Sequence, residues 1–210
     1  MSVNRVLEAA GGKWNRKAAG HIFSDDAAEV VDQIVLTGKV IDRKQELGDF
    51  PSPPAVVKRL VEKADITAGM LVLEPSAGSG NIAREVLRYT DRLHCFEIDE
   101  THCRELSQIA KSIHKADFLS IEPCAEYDRV VMNPPYAKQA DIRHVLHAMK
   151  FLVPCGKLAS VMSAGVAFRT NSLTTQFREI VDEIEPLPEG SFASSGTMVS
   201  TVIVTITNRQ

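Results

Sequence analysis

Long apolar runs are missing from this chain of 210 residues. No segment approaches the ~20 consecutive apolar residues that cross a bilayer, and no secretory leader pattern opens the chain. The expectation is a protein that neither spans a membrane nor enters a secretory path. Cysteine is scarce and scattered, since Cys95, Cys103, Cys124 and Cys155 show no CxxC spacing. A disulfide framework and a zinc site are therefore not expected, and a reducing, cytoplasmic setting fits. His94 beside Cys95 and His102 beside Cys103 do not make a metal site either. Cys95 falls in a strand-like apolar run and Cys103 at a helical core spacing. A large charge of either sign is also missing. With a formal net charge of -3 and a pI near 6.1, the chain is not expected to coat nucleic acid indiscriminately. Any such partner has to be met by a local patch.

What the chain has, from residue 50 onward, is an alternation of helix and strand. Val56, Val57, Leu60, Val61 and Ala64 recur on one helical face, with Ser52 as a candidate cap and prolines at the start. Buried runs follow at 70 to 74 (MLVLE), 93 to 98 (LHCFEI), 113 to 118, 127 to 132 and 158 to 163, with further strand at Ile184 and a β-rich segment at 199 to 206. Helices are expected to about Leu87, over 100 to 112, after Tyr136 with Ile142, Val145, Leu146 and Met149 at core spacing, and near 172 to 182. This alternation predicts an α/β fold with a mostly parallel, doubly wound sheet. The last strand follows only a loop, so it should pair antiparallel. Ligands then belong at the carboxyl ends of the strands.

Residues 1 to 49 read as a separate appendage, with 50 to 210 as the main domain. Short helices are expected over 2 to 10 and 25 to 36, and GGKWNRKAAGHIF at 11 to 23 reads as a small hairpin. Arg5, Lys13, Arg16 and Lys17 against Glu8 give residues 1 to 24 a local excess of positive charge. The hairpin, with Lys13, Trp14, Arg16, Lys17 and His21, can contact phosphates. Trp14, the single tryptophan, reads first as a small-core anchor.

Between the first strand and its helix lies LEPSAGSGNIA, 73 to 83. Gly78 and Gly80 allow a tight turn and close approach to a ligand, and the helix start beyond offers free N–H groups. Glu97 ends the next strand near the ~20-residue spacing at which an acidic side chain reaches ribose hydroxyls. By itself this pattern would also suit a nicotinamide dinucleotide. Glu74 weighs against that, because a carboxylate in the turn repels a pyrophosphate and welcomes a cationic ligand. A hydride-transfer site also has no use for VVMNPPYAK, 130 to 138, where a buried run ends in Asn133-Pro134-Pro135-Tyr136.

Taken together, Ser52-Pro53-Pro54, Glu74 to Gly80, Glu97-Ile98, Asp117-Phe118 and Asn133-Pro134-Pro135-Tyr136 resemble the S-adenosylmethionine-dependent DNA adenine-N6 methyltransferases, with the motif order of their gamma class. The resemblance runs over about residues 50 to 207. It implies a Rossmann-like class I methyltransferase fold with a seven-stranded sheet and its last strand antiparallel, S-adenosylmethionine as cofactor, and DNA carrying a flipped adenine as substrate. By position it implies that Ser52 and Pro53 contact the methionine part of the cofactor. Glu74, Ser76, Ala77, Gly78 and Gly80 would hold its amino-acid end. Glu97 would bind the ribose hydroxyls, Ile98 would pack on the adenine ring, and Asp117 would accept from its amino group beside Phe118.

An exocyclic aromatic amine is a poor nucleophile because its lone pair is delocalised. If its two N–H groups donate to the Asn133 side-chain oxygen and the Pro134 carbonyl, density returns to nitrogen and catalysis rests on positioning and electrostatics. Tyr136 would stack on the flipped base, and Pro135 with Pro134 would stiffen the platform. Phe192, in the loop before the last strand, either stacks on the other face of the base or belongs to the core. Lys138, Arg143, His144, His147 and Lys150 either add positive charge near the mouth or form a solvated helix face.

Larger relatives in this class carry a target-recognition domain after the catalytic one, whereas this sequence ends at Gln210. Recognition is therefore expected from residues 1 to 49, from loops, from a separate specificity partner or from a homodimer. RNA bases and protein glutamine pose the same chemical problem to an NPPY site, so they stand as alternative substrates. A methyltransferase fold that binds without turnover is the alternative from another class.

Overall fold

The structure, a computed structural model, describes residues 3, 4, 7, 12 to 22, 31, 51 to 195 and 197 to 209. The expected helices over 2 to 10 and 25 to 36 lie mostly outside them; Val3, Asn4, Leu7 and Val31 are helical. Strands β1 (Lys13–Asn15) and β2 (Gly20–Ile22) form the expected antiparallel hairpin. Its tip is set by the Asn15 side chain, whose Oδ1 accepts from the N–H groups of Lys17 (2.9 Å) and Ala18 (3.0 Å).

Helix α1 (Pro54–Ala64) buries Val56, Val57, Leu60, Val61 and Ala64, the face read from the sequence. Its start is fixed by proline rather than by a serine cap. The N-cap is Pro53, with no side-chain cap bond, and Ser52 is committed elsewhere. There follow β3 (Val72–Pro75), α2 (Asn81–Val86), β4 (Leu93–Glu97), α3 (Glu100–Leu106), β5 (Ser112–Lys115) and β6 (Tyr127–Met132). Beyond them come α4 (Ala140–Ala148), β7 (Leu152–Ser163), α5 (Ser172–Ile180), β8 (Glu183–Pro186) and β9 (Thr201–Thr207).

Three boundaries differ from the sequence reading by three residues or more. Helix α3 stops at Leu106, where the Ser107 hydroxyl bonds back to the Arg104 carbonyl. Strand β5 ends early because Asp117 turns its carboxylate onto the Leu119 N–H, 3.0 Å away, and starts a short 3-10 turn at Phe118. Strand β7 begins six residues before the expected Leu158, the chain passing Cys155 at φ 62 and shifting register against β6 between Tyr127 and Arg129.

The seven-stranded sheet has the order β5-β4-β3-β6-β7-β9-β8. The pairs β3/β4, β4/β5, β3/β6 and β6/β7 are parallel, and β9 runs antiparallel to both β7 and β8. The antiparallel last strand was legible from its short connection. One apolar cluster joins α1, α2 and Leu106 of α3 to one face of the sheet; another joins α4 and Phe177 of α5 to the opposite face. The fold is thus a three-layer α/β/α sandwich. From β3 the chain winds outward to β4 and β5 and then crosses back to β6, which leaves a switch point between β3 and β6.

Candidate active site

A cavity of about 590 Å³ opens at that switch point, within the ~300–1,000 Å³ typical of small-molecule sites. Four of the five adjacent parallel strands, β5, β4, β3 and β6, feed it from their carboxyl ends. Ser76 and Gly78 come from the turn after β3, Glu97, Ile98 and Asp99 from the end of β4, Asp117 and Phe118 from the turn after β5, and Asn133 to Tyr136 from the end of β6. These segments are far apart in the chain, and the parallel register brings them together.

In the glycine turn, Ser76 (φ 58), Gly78 (φ 52) and Gly80 (φ 83) all take left-handed backbone. At Gly80 an added Cβ would stand 2.9 Å from the side-chain ends of Leu106 and Ile109, which would have to shift, and the left-handed backbone strains any side chain there. The Gly78 N–H donates to Glu97 Oε2 at 2.7 Å, and the N–H groups of Ile98 and Asp99 donate to Oε1, each at 2.8 Å. Glu97 therefore locks the turn to the end of β4 while lining the cavity. Ile98 is 66% exposed, with an apolar surface open to a ligand. Asp99 caps α3 by accepting from His102 and Thr101, and those bonds, the His102 one first, hold its carboxyl below the usual range.

Phe118 is buried against Phe96 and Phe151, at ring-centroid distances of 5.8 Å and 5.1 Å. His144 from α4 lies over it, donates from Nδ1 to the Ala140 carbonyl at 2.8 Å, and lines the cavity. Burial, first among the causes, lowers its pKa, so at neutral pH the ring is uncharged. Of the two readings of His144, the solvated helix face does not hold, since the residue is buried.

At the end of β6 the Asn133 amide is bonded on both sides. Its Nδ2 donates to Ser52 Oγ at 3.0 Å, and Tyr136 donates its hydroxyl to Oδ1 at 2.6 Å. Burial, and then the charge of Asp141, raises the Tyr136 pKa, so the phenol keeps its proton. Next along the chain, Lys138 (φ 53) and Gln139 (φ 57) are consecutive left-handed residues. Gln139 is held by Asn171 and Thr174 of the α5 start, which donate to its Oε1 at 3.0 Å each.

Several sequence-derived candidates lie behind the wall or away from it. Ser52, Pro53, Ala77 and Gly80 support the turn without lining the cavity. Glu74 is 1% exposed on the central strand β3, with Oε1 unpartnered and Oε2 facing Cys95 Sγ at 3.9 Å. It sits beneath the turn and does not line the cavity, and burial, first among the causes, raises its pKa well above the carboxylate norm. Phe192 is 1% exposed and belongs to the core of the α1 face. Arg16 and Lys17 are exposed at the hairpin tip, and Trp14, expected as an anchor, is 51% exposed and edge-on to His21. Among the described residues no group of histidines, cysteines and carboxylates could hold a metal ion, and no helix is long and apolar enough to cross a membrane.

Sequence reasoning did not single out Phe96, Asp99 or His102 for this wall. A signal existed for two of them: Asp99 stands two residues after Glu97 at a strand end, and His102 one helical turn later.

No protein-family model matches the chain. Over 100 residues it is 30% identical to an rRNA adenine N-6-methyltransferase of Aeromicrobium erythreum, covering 45% of this chain and 29% of that protein. Over 115 residues it is 32% identical to a Type II methyltransferase of Thermus thermophilus, covering 51% of this chain and 26% of that one. The matched stretches thus span less than a third of either relative. Among solved structures, the methyltransferase subunit of a type I restriction-modification system from Streptococcus thermophilus superposes with a TM-score of 0.66 at 21% identity, over 78% of this chain and 45% of that one. With its strand order and its cavity at the β3/β6 switch point, the chain has the Rossmann-like fold of the class I methyltransferases.

Proposed function

We propose that this protein transfers a methyl group from S-adenosylmethionine to the N6 amino group of adenine in DNA. The observation that carries the reading is one cavity lined both by the glycine turn with Glu97 and Asp117 and by Asn133-Pro134-Pro135-Tyr136. The residues fit the cofactor: carboxylates stand at the ends of β4 and β5 for hydroxyl and amino donors, Ile98 and Phe118 offer apolar surface for a purine, and the turn has left-handed backbone that allows close approach. When bound, the cofactor supplies an electrophilic methyl on a sulfonium centre.

The chain's own part is positioning. The Asn133 oxygen and the Pro134 carbonyl accept from the acceptor amine, which localises its lone pair. Tyr136 covers the base, and the two prolines limit the entropy lost when the base is seated. Extruding the base from a duplex costs roughly a few kcal/mol. RNA adenine is the second reading, favoured by the similarity to an rRNA adenine N-6-methyltransferase.

The test is incubation of the protein with methyl-labelled S-adenosylmethionine and, separately, duplex DNA, RNA and protein extract, followed by digestion and identification of the labelled product. N6-methyladenine from DNA is the expected result. Label confined to RNA or to methylglutamine overturns the substrate, and absence of cofactor binding by calorimetry overturns the enzyme. In N133A turnover should fall on the order of 100-fold or more while cofactor affinity holds.

A further inference from the structure

The segment that carries Tyr136 leaves the cavity through unfavourable backbone. Lys138 (φ 53) and Gln139 (φ 57) are left-handed, the one consecutive pair of non-glycine residues to be so among the described residues. A Cβ disfavours that region, so such a pair persists only where surrounding contacts hold it. Both residues are held. The Lys138 carbonyl accepts from Arg143 Nη1 at 2.7 Å, and the Gln139 side chain reaches the start of α5, 32 residues on.

The direction of that second contact follows from a group that only donates. The Thr174 backbone N–H donates to Asn171 Oδ1 at 3.0 Å, the N-cap bond of α5, and a backbone N–H cannot accept. The Asn171 amide is thereby turned so that Nδ2 faces Gln139, and the atom it meets at 3.0 Å is the acceptor Oε1. Thr174 Oγ1 stands 3.0 Å from the same oxygen. One cap residue thus serves two elements, its oxygen closing α5 and its amino group pinning the exit from the NPPY segment.

Gln139 does not line the cavity, whereas Tyr136 does. A single 3-10 turn, Ala137–Gln139, separates them, with Tyr136 as its N-cap. The segment from Asn133 to Gln139 is therefore anchored at one end by the sheet and at the other by α5. We infer that Gln139 is a positioning residue for methyl transfer, its side-chain oxygen pinned by Asn171 so that the left-handed exit holds the Tyr136 ring against the acceptor base. The inference rests on the proposed adenine methylation and adds a role that acts through Tyr136, separate from cofactor retention.

The experiment uses the fixed direction of the bond. Q139E keeps the acceptor, and N171D keeps the cap while the glutamine amide can turn its NH2 to the new carboxylate; in the Q139E/N171D pair acceptor faces acceptor. These three variants and Q139A are compared in single-turnover methyl transfer at saturating duplex DNA, with calorimetric S-adenosylmethionine binding for each. Q139A should lose about 10-fold or more in rate, as misplacement near the reacting atoms does, with cofactor affinity held within about twofold. Q139E and N171D should each keep the rate within about threefold, and the pair should lose about 10-fold beyond the two single effects combined. An unchanged rate in Q139A, or cofactor affinity falling in step with the rate, overturns the role, and independent effects in the pair overturn the contact. A wild-type protein that methylates no acceptor overturns the proposed function instead, and the contact is read without turnover. Trypsin should cut after Lys138 faster in the pair than in Q139E, which has the same scissile bond; equal cleavage overturns the pinning.

Discussion

Glu74 shows how much one residue's meaning depends on where its strand runs. Read in sequence, a carboxylate in a glycine turn attracts a cationic ligand; placed on the central strand, it is buried with one oxygen unpartnered and is held protonated by that burial. Its folded pKa lies above the unfolded one. The stability it contributes is therefore fully present below the unfolded value and is lost as pH rises through the folded value. In E74Q, which keeps the shape and removes the ionisation, the melting temperature of the ligand-free protein at pH 8 should rise by at least ~2–4 °C, the shift made by ~1 kcal/mol in a domain of this size. The gain should shrink at pH 5, and thermal melts of both proteins at the two pH values check it. Asn133 and Tyr136 stood out in the sequence as candidates because a strand stop by itself calls for neither an amide nor a phenol, and both line the cavity. The Ser52 partner of Asn133 was not legible, because a contact spanning 81 residues leaves no local pattern.

At the scale of elements, the turn from β3 to α2 and the clamp between α1 and β8 give separate tests. In G80A the new methyl meets Leu106 and Ile109 at 2.9 Å in left-handed backbone. The protein should lose more than ~1 kcal/mol, read by urea denaturation, and should bind S-adenosylmethionine more weakly by calorimetry. The clamp pairs Arg59 with Glu185 through two hydrogen bonds of 2.8 and 2.7 Å and Lys63 with Glu183 and Glu185 at 2.7 Å each. The Arg59 hydrogen bond, then that of Lys63, pulls the Glu185 carboxyl down to about 2. A depressed pKa contributes stability above the unfolded value, ~4.3, that is lost as pH falls toward the folded one. E185Q should therefore lower the melting temperature at pH 7 by about 1–2 °C, an effect that fades in 1 M salt and toward pH 2. Helix α1 was legible through its apolar periodicity, whereas the ends of α3 and β5 were not. Single side chains, Ser107 and Asp117, decide those ends by bonding their own backbone.

The whole molecule carries only a small net negative charge, so contact with a polyanion falls to local patches. Arg16 and Lys17 are exposed at the tip of the β1/β2 hairpin. If they meet phosphates as proposed, the double variant R16E/K17E should weaken duplex binding and reduce the slope of log affinity against log salt by about 2. Fluorescence anisotropy across a salt series reads this, with cofactor affinity as the control that should stay fixed. The sequence by itself determined the α/β class, the antiparallel last strand and the identities of the chemical groups, because periodicity, connection length and residue type are local properties. Only the tertiary structure decided that β6 returns beside β3, and with it that four strand ends meet in one cavity. It alone turned Glu74 and Phe192 inward and set Ser52 against Asn133. Burial and long-range contact follow from how strands are ordered in the sheet, and no local pattern encodes that order.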